Sequence, residues 1–378
     1  MSYQIAGGGI GGLCLALALQ KLGMPYHVYE RAPKLREVGA GIWLAPNALQ
    51  VLDWLGVLAK VQEAGNVIDR ITLADAKLNP LSDIPQTPIV QQFGFSTVAI
   101  HRARLQKLLF DEIPEQHKTL GKALQRFEER EESVDLHFTD GTLAAGAYLI
   151  GADGIHSAVR QQLFPERRTR DSGQLCWRGI ATLDLPDDYR PRGMELWGDQ
   201  IRFGISQIAD RQVYWFAVSE QSATLPQDPI LRKAGLLARY ESFHPLVGQI
   251  LEATSPDRIM ENTILDLDPK GRWYQGRICL MGDAAHATTP NMGQGGAQAI
   301  EDAYFLSQLQ HTNPGEPGFA AFAQRRRPKV QFVVKQSWNT GKLAHWKRAQ
   351  GLRNGMMRVI PERILVKQML DLYRLEDI

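Results

Sequence analysis

The spacing of apolar residues at the start of the chain predicts a strand, a helix and a second strand. Residues 3–6 (YQIA) form a short apolar run, and residues 13–21 show helical apolar spacing that closes at Gly23. Residues 25–30 (PYHVYE) then form a second strand. This order is that of a β-turn-α-β unit of about 30 residues.

The next part of the chain repeats such elements with one interruption. We expect, in order, helix 47–64, helix 102–113, hairpin 134–143 and strand 147–151. Asp140-Gly141 marks the hairpin turn. The interruption is a strand-like zone over 68–100, whose three prolines indicate an excursion away from the first sheet.

A different pattern occupies the chain from Cys176 to about Ile264. Segments such as QIRFGIS and QVYWFAV alternate or run apolar in the manner of strands, with many aromatic residues. They predict a mostly antiparallel second domain inserted into the first. After it we expect a buried strand at 277–282, a helix from about Gly295 and a helical tail over 329–378.

The composition narrows the class of protein. The 378 residues are 44% hydrophobic and 22% charged with a net charge of +2, which is ordinary for a globular protein and does not suggest a nucleic-acid partner. Three scattered cysteines without a CxxC pair argue against a disulfide scaffold and a metal site. The apolar N-terminal run lacks a basic region, and no run of about 20 apolar residues could span a membrane. We therefore expect a cytoplasmic protein.

The glycine cluster GGGIGG lies between the first strand and the first helix. Gly7-x-Gly9-x-x-Gly12 has the spacing of a dinucleotide fingerprint: a turn, a close approach of backbone to pyrophosphate, and tight packing of the helix. Glu30 ends the second strand, where its carboxylate can accept hydrogen bonds from a ribose 2′-hydroxyl. These residues predict a bound ADP group from NAD or FAD, and a turn that serves only packing is the alternative.

Two later stretches favour FAD over NAD. GADGIHSAVR (151–160) follows one strand, and residues 277–302 carry a strand end at Asp283 and a Pro/Gly-rich loop before a helix. An acid at the carboxyl end of a strand suits the hydroxyls of a ribitol chain, and a second helix N-terminus suits negative charge on a flavin ring. A helix N-cap is the structural alternative for Asp283, and for His286 we favour a structural role.

With these motifs the sequence resembles the class A flavin-dependent monooxygenases of the para-hydroxybenzoate hydroxylase type. GGGIGG with Glu30, GADGIHSAVR and GDAAHATTPNMGQGG occur in the family's order, and the likeness covers about residues 1–345. It implies an α/β fold with a Rossmann-like FAD-binding domain of GR2 type, an inserted antiparallel-sheet substrate domain and C-terminal helices. The implied segments are 1–70, 97–175 and 270–335 for the FAD-binding domain, 71–96 and 176–269 for the substrate domain, and 336–378 for the C-terminal helical segment.

The resemblance also implies which residues hold FAD without a covalent bond. They are Gly7, Gly9, Ile10, Gly11, Gly12, Glu30, Arg31, Trp43, Arg102, Leu124, Asp153, Asp283, Pro290, Gly293, Gly295, Gly296 and Ala297. Arg102 is implied to neutralise phosphate, Asp283 to bind the ribitol, and the backbone near Gly295 to line the flavin. Asp153 lies in a segment that such enzymes tie to both FAD and NAD(P)H.

The resemblance further implies the reaction. In such enzymes NAD(P)H reduces FAD, and O₂ then adds at the flavin C4a to give a hydroperoxide that passes one oxygen to the substrate. The implied activity is hydroxylation of a small aromatic or heteroaromatic compound, with the choice between NADH and NADPH open. The alternative is the same chemistry on a larger substrate, as in polyene epoxidation or inactivation of tetracycline-type antibiotics. A flavin reductase, a prenyl-protein escort and an NAD-dependent dehydrogenase are more distant alternatives.

Arg202 in QIRFGIS and Tyr214 in QVYWFAV are the candidate catalytic residues. Their setting is similar to that of flavoprotein urate hydroxylases of comparable size. Arg202 could hold an anionic or enolate oxygen, and Tyr214 could orient a ring or pass a proton. An outward arginine and a buried structural tyrosine are the alternative, and Arg178 in CWRGI is a weaker candidate.

Two C-terminal features complete the expectations. The run RRRPK (325–329) indicates a solvated helix end before a proline rather than an anion site. The amphipathic tail 355–375 is expected to pack back on the body, with a membrane surface or a dimer interface as alternatives. We expect a monomer or a homodimer.

Overall fold

The computed structural model describes residues 1–35, 40–222, 224–346 and 350–376. In its first half, strands and helices follow in the order β1 (Tyr3–Ala6), α1 (Ile10–Lys21), β2 (Tyr26–Glu30), β3 (Gly41–Leu44), α2 (Pro46–Trp54), α3 (Leu58–Ala64), β4 (Asn66–Val67), β5 (Arg70–Asp75), β6 (Pro80–Pro85), α4 (Thr87–Phe93), β7 (Val98–His101), α5 (Arg102–Asp111), β8 (Lys118–Leu120), β9 (Leu124–Glu129), β10 (Val134–Phe138), β11 (Leu143–Gly146), β12 (Tyr148–Gly151) and α6 (Ala158–Leu163).

The second half begins with long strands and ends in helices. Its elements are β13 (Thr169–Thr182), β14 (Arg192–Trp197), β15 (Ile201–Ala209), β16 (Gln212–Glu220), α7 (Pro229–Arg239), α8 (Pro245–Glu252), β17 (Met260–Leu267), β18 (Tyr274–Gln275), β19 (Ile278–Leu280), α9 (Asp283–His286), α10 (Gly295–Thr312), α11 (Glu316–Ala344), α12 (Gln350–Val359) and α13 (Glu362–Tyr373).

The first sheet contains the predicted β-turn-α-β unit, which is confirmed. Its six strands lie in the order β18-β19-β12-β1-β2-β8. The central strand β1 pairs in parallel with β2 on one side and with β12 on the other. All four residues of β1 are buried, as expected for a parallel strand covered on both faces.

Two helical segments differ from the sequence expectation. The helix expected over 47–64 is two helices, α2 and α3, because Gly56 adopts a φ of 81° between them. The strand-like zone over 68–100 contains the helix α4. Pro88 lies in the first turn of α4, where a missing N–H breaks no helical hydrogen bond.

The second sheet confirms the mostly antiparallel pairing expected of this part of the chain, with one parallel pair between β14 and β5. Its seven strands lie in the order β17-β13-β16-β15-β14-β5-β6, so the excursion of β5 and β6 joins this sheet rather than the first. Side chains alternate between its two faces. One face, with Trp177 and Trp215, packs against residues of α7 and α8 in a closed core. We call the other the inner face; by strand register it carries Cys176, Arg178, Ile180, Glu195, Trp197, Arg202, Gly204, Ser206, Tyr214 and Phe216.

The C-terminal helices pack on the body of the protein. Tyr373 of α13 lies in a small core with Ile89 of α4. Helix α11 continues through Pro328, and the Arg326 side chain is only 2% exposed. The interpretation of residues 325–329 as a solvated helix end is therefore wrong for Arg326. In the described part of the chain, no helix is both long and apolar enough to cross a membrane.

The two faces of the second sheet give a first prediction. Trp215→Ala should lower the free energy of unfolding by about 3–5 kcal/mol, because the fully buried indole fills the closed core and its N–H donates to the Thr254 hydroxyl at 2.9 Å. Phe216, the next residue, is half-buried on the inner face, so Phe216→Ala should lower the free energy of unfolding clearly less. Urea unfolding of both variants measures the difference. Equal losses would contradict the assignment of faces.

Candidate active site

The turn after β1 is tight at both ends and open in its middle. A Cβ atom on Gly7 would lie 2.3 Å from the Ala152 carbonyl oxygen, and one on Gly12 would lie 2.1 Å from the Gly7 carbonyl oxygen. A Cβ on Gly9 would meet no atom within 4 Å. Protein packing therefore accounts for the first and third glycines, whereas the second borders open space. Among the adjacent predicted residues, Ile10 is buried and Gly11 half-buried.

Glu30 is held at the end of β2 by the backbone of the same turn. The Gly8 N–H donates to Glu30 Oε2 at 2.8 Å, and the Ala32 N–H donates to Oε1 at 2.9 Å. An ionised carboxylate has about four acceptor sites, so both oxygens keep acceptor capacity for a ligand hydroxyl. Arg31, the next residue, is exposed.

The second predicted cofactor segment is the loop from Gly282 to Ala297, called here the 282–297 loop. Asp283 is exposed although Gly282 and Ala284 on either side are buried. In the part of the chain that the structure describes, no side chain or backbone group bonds the Asp283 carboxylate. Asp283 is also the first residue of α9 rather than its N-cap, which is Gly282.

The structure brings the two predicted segments together. A Cβ on Gly11 would lie 3.1 Å from the Ala299 Cβ, and a Cβ on Gly282 would lie 3.0 Å from the same atom. A Cβ on Gly296 would lie 2.7 Å from Ile42 Cδ1, so β3 covers the start of α10. The turn after β1, β3 and the 282–297 loop therefore meet at one place.

Other predicted residues of this loop differ in exposure. Gly293 has a φ of 63° and a Cβ there would meet no atom within 4 Å. Gly295 begins α10 and Ala297 is fully buried within it. Pro290 is exposed.

The GADGIHSAVR segment is tied to the 282–297 loop by its arginine. The buried Arg160 guanidinium donates to the Ala284 carbonyl at 3.1 Å and to the Ile155 carbonyl at 2.6 Å. The Asp153 carboxylate accepts from the Ala158 N–H at 2.7 Å, at the start of α6. Burial raises the pKa of Asp153 against these hydrogen bonds. Arg160 and Asp153 therefore both make hydrogen bonds that hold this segment in place.

A buried cluster of charges supports the 282–297 loop from within the protein. Asp302 accepts hydrogen bonds from the Gly282 N–H at 2.8 Å, from His286 Nε2 at 2.6 Å and from Arg326 Nε at 2.8 Å. Burial opposes the ionisation of Asp302, but the charges of His286 and Arg326 outweigh it and lower its pKa to about 2. Arg326 also pairs with Glu301 at 2.6 Å. His286 thus has the structural role that the sequence favoured.

Arg202 connects the inner face of the second sheet with the 282–297 loop. Its guanidinium, 1% exposed, pairs with Glu195 at 3.0 Å and donates to Asn291 Oδ1 at 2.6 Å. The Asn291 amide in turn donates to the Ser337 carbonyl of α11 at 2.9 Å. The charge of Arg202 is therefore already matched by a carboxylate of the same sheet.

Tyr214 lies where the inner face meets β3. Its ring packs on Gly41, where a Cβ would approach the ring to 2.4 Å. Burial raises the pKa of the Tyr214 hydroxyl, and the nearby Arg178 guanidinium partly opposes this. Trp43 of β3 reaches the same face, because its indole N–H donates to the Ser206 hydroxyl at 2.8 Å.

The remaining predicted cofactor residues lie at the margin of this site. Arg102 is exposed at the start of α5, and its backbone N–H donates to the Ala40 carbonyl at 3.0 Å. Ala40 packs in the same cluster as Tyr214, which places the backbone of Arg102 near the inner face. Leu124 is half-buried in β9, a strand of the separate β9-β10-β11 sheet.

Sequence reasoning missed Glu195 and Asn291. The signal for Glu195 was available: MELWGDQIRF contains two strands joined by a short turn, so antiparallel pairing places an acid and Arg202 on one face. In the structure Trp197 pairs with Arg202 and Glu195 with Gly204. No local signal marked Asn291, whose partners come from β15 and α11.

The residues present fit an extended dinucleotide. Gly9 leaves open space at the start of a helix, where phosphate charge is stabilised by backbone N–H groups. The exposed Asp283, which no described group bonds, supplies acceptors just beyond the carboxyl end of β19, suited to sugar or ribitol hydroxyls. Because the two positions belong to segments in contact, one long ligand such as FAD could engage both.

The comparisons with known proteins show the family of the chain. The family described as "FAD binding domain" matches residues 2–227 and 247–337. The aurachin C monooxygenase/isomerase of Stigmatella aurantiaca is 36% identical, covering 95% of this chain and 94% of that protein. The 2-heptyl-3-hydroxy-4(1H)-quinolone synthase of Pseudomonas aeruginosa is 32% identical, covering 96% of this chain and 94% of that protein. The structure of Klebsiella pneumoniae HpxO with FAD and uric acid superposes with a TM-score of 0.90 at 27% identity. The superposition covers 99% of this chain and 96% of that chain.

The open space at Gly9 predicts a variant that separates binding from folding. Gly9→Ala should leave the thermal stability of the FAD-free protein nearly unchanged, because its Cβ meets no protein atom, yet should weaken FAD binding at least tenfold by obstructing the phosphates. Gly12→Ala should destabilise the FAD-free protein itself. Thermal unfolding and flavin titration measure the two effects. Unchanged FAD affinity in Gly9→Ala would contradict the assignment of the phosphate site.

The buried charge cluster gives a third prediction. Arg326→Met should lower the free energy of unfolding by about 3–5 kcal/mol, because it leaves Asp302 and Glu301 buried without their main counter-charge. Arg325→Met, at the neighbouring and exposed position, is the control and should change stability little. Chemical unfolding measures both. Similar values for the two variants would show that the cluster does not stabilise the loop.

Proposed function

The chain belongs to the FAD-binding domain family, and from that premise we propose that it is a single-component flavin monooxygenase acting on a heteroaromatic ring. Its relatives include FAD-dependent urate hydroxylases and a 6-hydroxynicotinate 3-monooxygenase, which makes the chain an FAD-dependent monooxygenase of the aromatic-hydroxylating type. Within that class we propose a fused nitrogen heterocycle of quinolone type, as in the name of the Pseudomonas aeruginosa relative.

The residues that would hold FAD are those that the fold brings together. The turn at Gly9 would accept the pyrophosphate, Glu30 a ribose hydroxyl and Asp283 the ribitol. FAD supplies the redox chemistry when bound, taking electrons from NAD(P)H and activating O₂. The chain contributes no second dinucleotide fingerprint, so NADH and NADPH both remain candidates for the cosubstrate.

The inner face of the second sheet would receive the substrate. Tyr214 packs there with half-buried apolar residues, among them Trp43, Phe216 and Met260. An apolar wall with few polar groups is the usual form of a small-molecule site, and it keeps water from the reacting atoms. Arg202 would set the position of this wall, because it bonds Asn291 of the 282–297 loop.

One observation carries the proposal. Helix α10, which the 282–297 loop enters, packs through Ala299 against Gly11 in the first turn of α1, and the loop itself bonds the inner face through Asn291. A cofactor gripped by the first contact would therefore have its reactive end beside the second. A dehydrogenase that binds only a nicotinamide dinucleotide has no use for this arrangement.

The test is a turnover screen with the purified FAD-loaded protein. We expect 4-hydroxyquinoline and its 2-alkyl derivatives to accelerate NADH or NADPH oxidation and to yield a product containing one oxygen atom from labelled O₂, detected by mass spectrometry. Activity confined to bulky polycyclic compounds would favour the larger-substrate alternative. Faster oxidation with only H₂O₂ formed, and no oxygenated product from any aromatic compound, would refute the proposal.

A further inference from the structure

Two arginines, Arg178 and Arg202, stand on the inner face, and their partners differ. Arg202 is buried against the carboxylate of Glu195, which also accepts from the Trp197 indole N–H at 2.8 Å. Its second partner is Asn291. With its charge matched and its guanidinium enclosed, Arg202 holds the sheet to the 282–297 loop and has little capacity to bind a substrate anion.

Arg178 lies two strands away from Arg202 and keeps an unmatched charge. Its Nη2 donates to Asn262 Oδ1 at 2.6 Å, and it lies close enough to Tyr214 to oppose the rise of that residue's pKa. Both neighbours are neutral. Within the described residues, no carboxylate lies within ion-pair distance of Arg178. Its Nε is buried without a partner, as is that of Arg202, so the missing carboxylate is what distinguishes the two arginines.

The nearby acid that could have paired with Arg178 points away from it. Glu261 precedes Asn262 in β17, but its carboxylate accepts from the Trp177 indole N–H at 2.7 Å on the opposite face of the sheet. It also lies 3.8 Å from Arg232. Among the described residues, the inner face around Arg178 therefore carries positive charge and neutral polar groups but no carboxylate within ion-pair distance.

The surroundings of Arg178 are those of an open apolar wall rather than a closed core. Phe216 pairs with Arg178 across the strands, Met260 flanks it on the other side, and both side chains are half-buried, as is Arg178 itself. A cation in such a setting interacts with an incoming anionic oxygen far more strongly than one in water does.

We propose that Arg178, rather than Arg202, binds an oxygen of the substrate that carries negative charge, such as a carboxylate or the oxygen of a deprotonated hydroxyl on the ring. Tyr214, beside it, donates or accepts the second hydrogen bond to that oxygen. The inference rests on the proposed function and deepens it, because it specifies that the preferred substrates are aromatic acids or enolisable heterocycles. It also replaces the role that the sequence suggested for Arg202.

The test compares pairs of ligands in which one ionisable oxygen of the first member is methylated, or replaced by an amide nitrogen, in the second. The probes are 4-hydroxyquinoline with 4-methoxyquinoline, 6-hydroxynicotinate with its amide, and 3-amino-4-hydroxybenzoate with its amide. Dissociation constants for the oxidised, FAD-loaded protein are measured by perturbation of the flavin spectrum. In at least one pair the wild type should bind the member with the anionic or ionisable oxygen more tightly.

Arg178→Met should weaken binding of that member about tenfold or more, and should leave its partner's binding within about twofold. Arg178→Lys, which keeps the charge but not the planar fork, should recover part of the difference, and Arg178→Gln serves if the Met variant does not retain FAD. Arg192→Met is the matched control, because it removes an arginine of the same sheet from the opposite face. It should leave the dissociation constants of both members of each pair unchanged.

The outcomes separate the two proposals. Loss of affinity confined to the anionic member supports the role of Arg178. Equal weakening of both members would show that Arg178 only ties β13 to β17 through Asn262, and unchanged binding would remove it from the site; either leaves the proposed function intact. If no member of any pair binds the wild-type holoenzyme, the proposed function fails and the inference fails with it.

Discussion

The site depends on the ionised carboxylate of Asp302, buried behind the 282–297 loop. It accepts from the backbone of Gly282, where β19 ends, and from Arg326 of α11. A charge so far from water is tolerable only because Arg326 matches it and because Gly282, His286 and Arg326 all bond the carboxylate. Three segments that are distant in sequence are thereby held together, and the exposed Asp283 projects from the segment they fix.

The 282–297 loop is also held on the side that faces the second sheet, by a chain of hydrogen bonds through neutral and charged side chains. Asn291 bonds Arg202 of the second sheet and the Ser337 carbonyl of α11. Glu195 completes the pairing of Arg202 from within the sheet. The relative position of the 282–297 loop and the inner face is therefore set by directional bonds rather than by apolar packing, which is non-directional and tolerates displacement.

Local patterns in the sequence sufficed for the β-turn-α-β unit and for the inserted antiparallel domain, because strand and helix periodicities are properties of short segments. They did not suffice where a distant partner decides the outcome. RRRPK has the composition of a solvated run, yet Arg326 is buried because it forms ion pairs with Glu301 and Asp302 of α10. Arg202 was correctly placed among aromatic strands, but only the register of β14 and β15 shows that Glu195 lies on its face.

The arginines of this chain show why position on a face is not enough to assign a role. Arg160 binds carbonyl oxygens, Arg326 and Arg202 bind carboxylates, and each of them is almost completely buried. Their terminal guanidinium nitrogens donate to protein oxygens, although Nε of Arg160 and of Arg202 is buried without a partner among the described residues. Removing one of these side chains therefore leaves its acceptors buried in a low dielectric. Arg178 differs from Arg202 and Arg326 because its partner Asn262 is neutral, and from all three because its side chain is half-buried. In an active site lined by several cations, the one whose charge the protein leaves unmatched is the one available to a ligand.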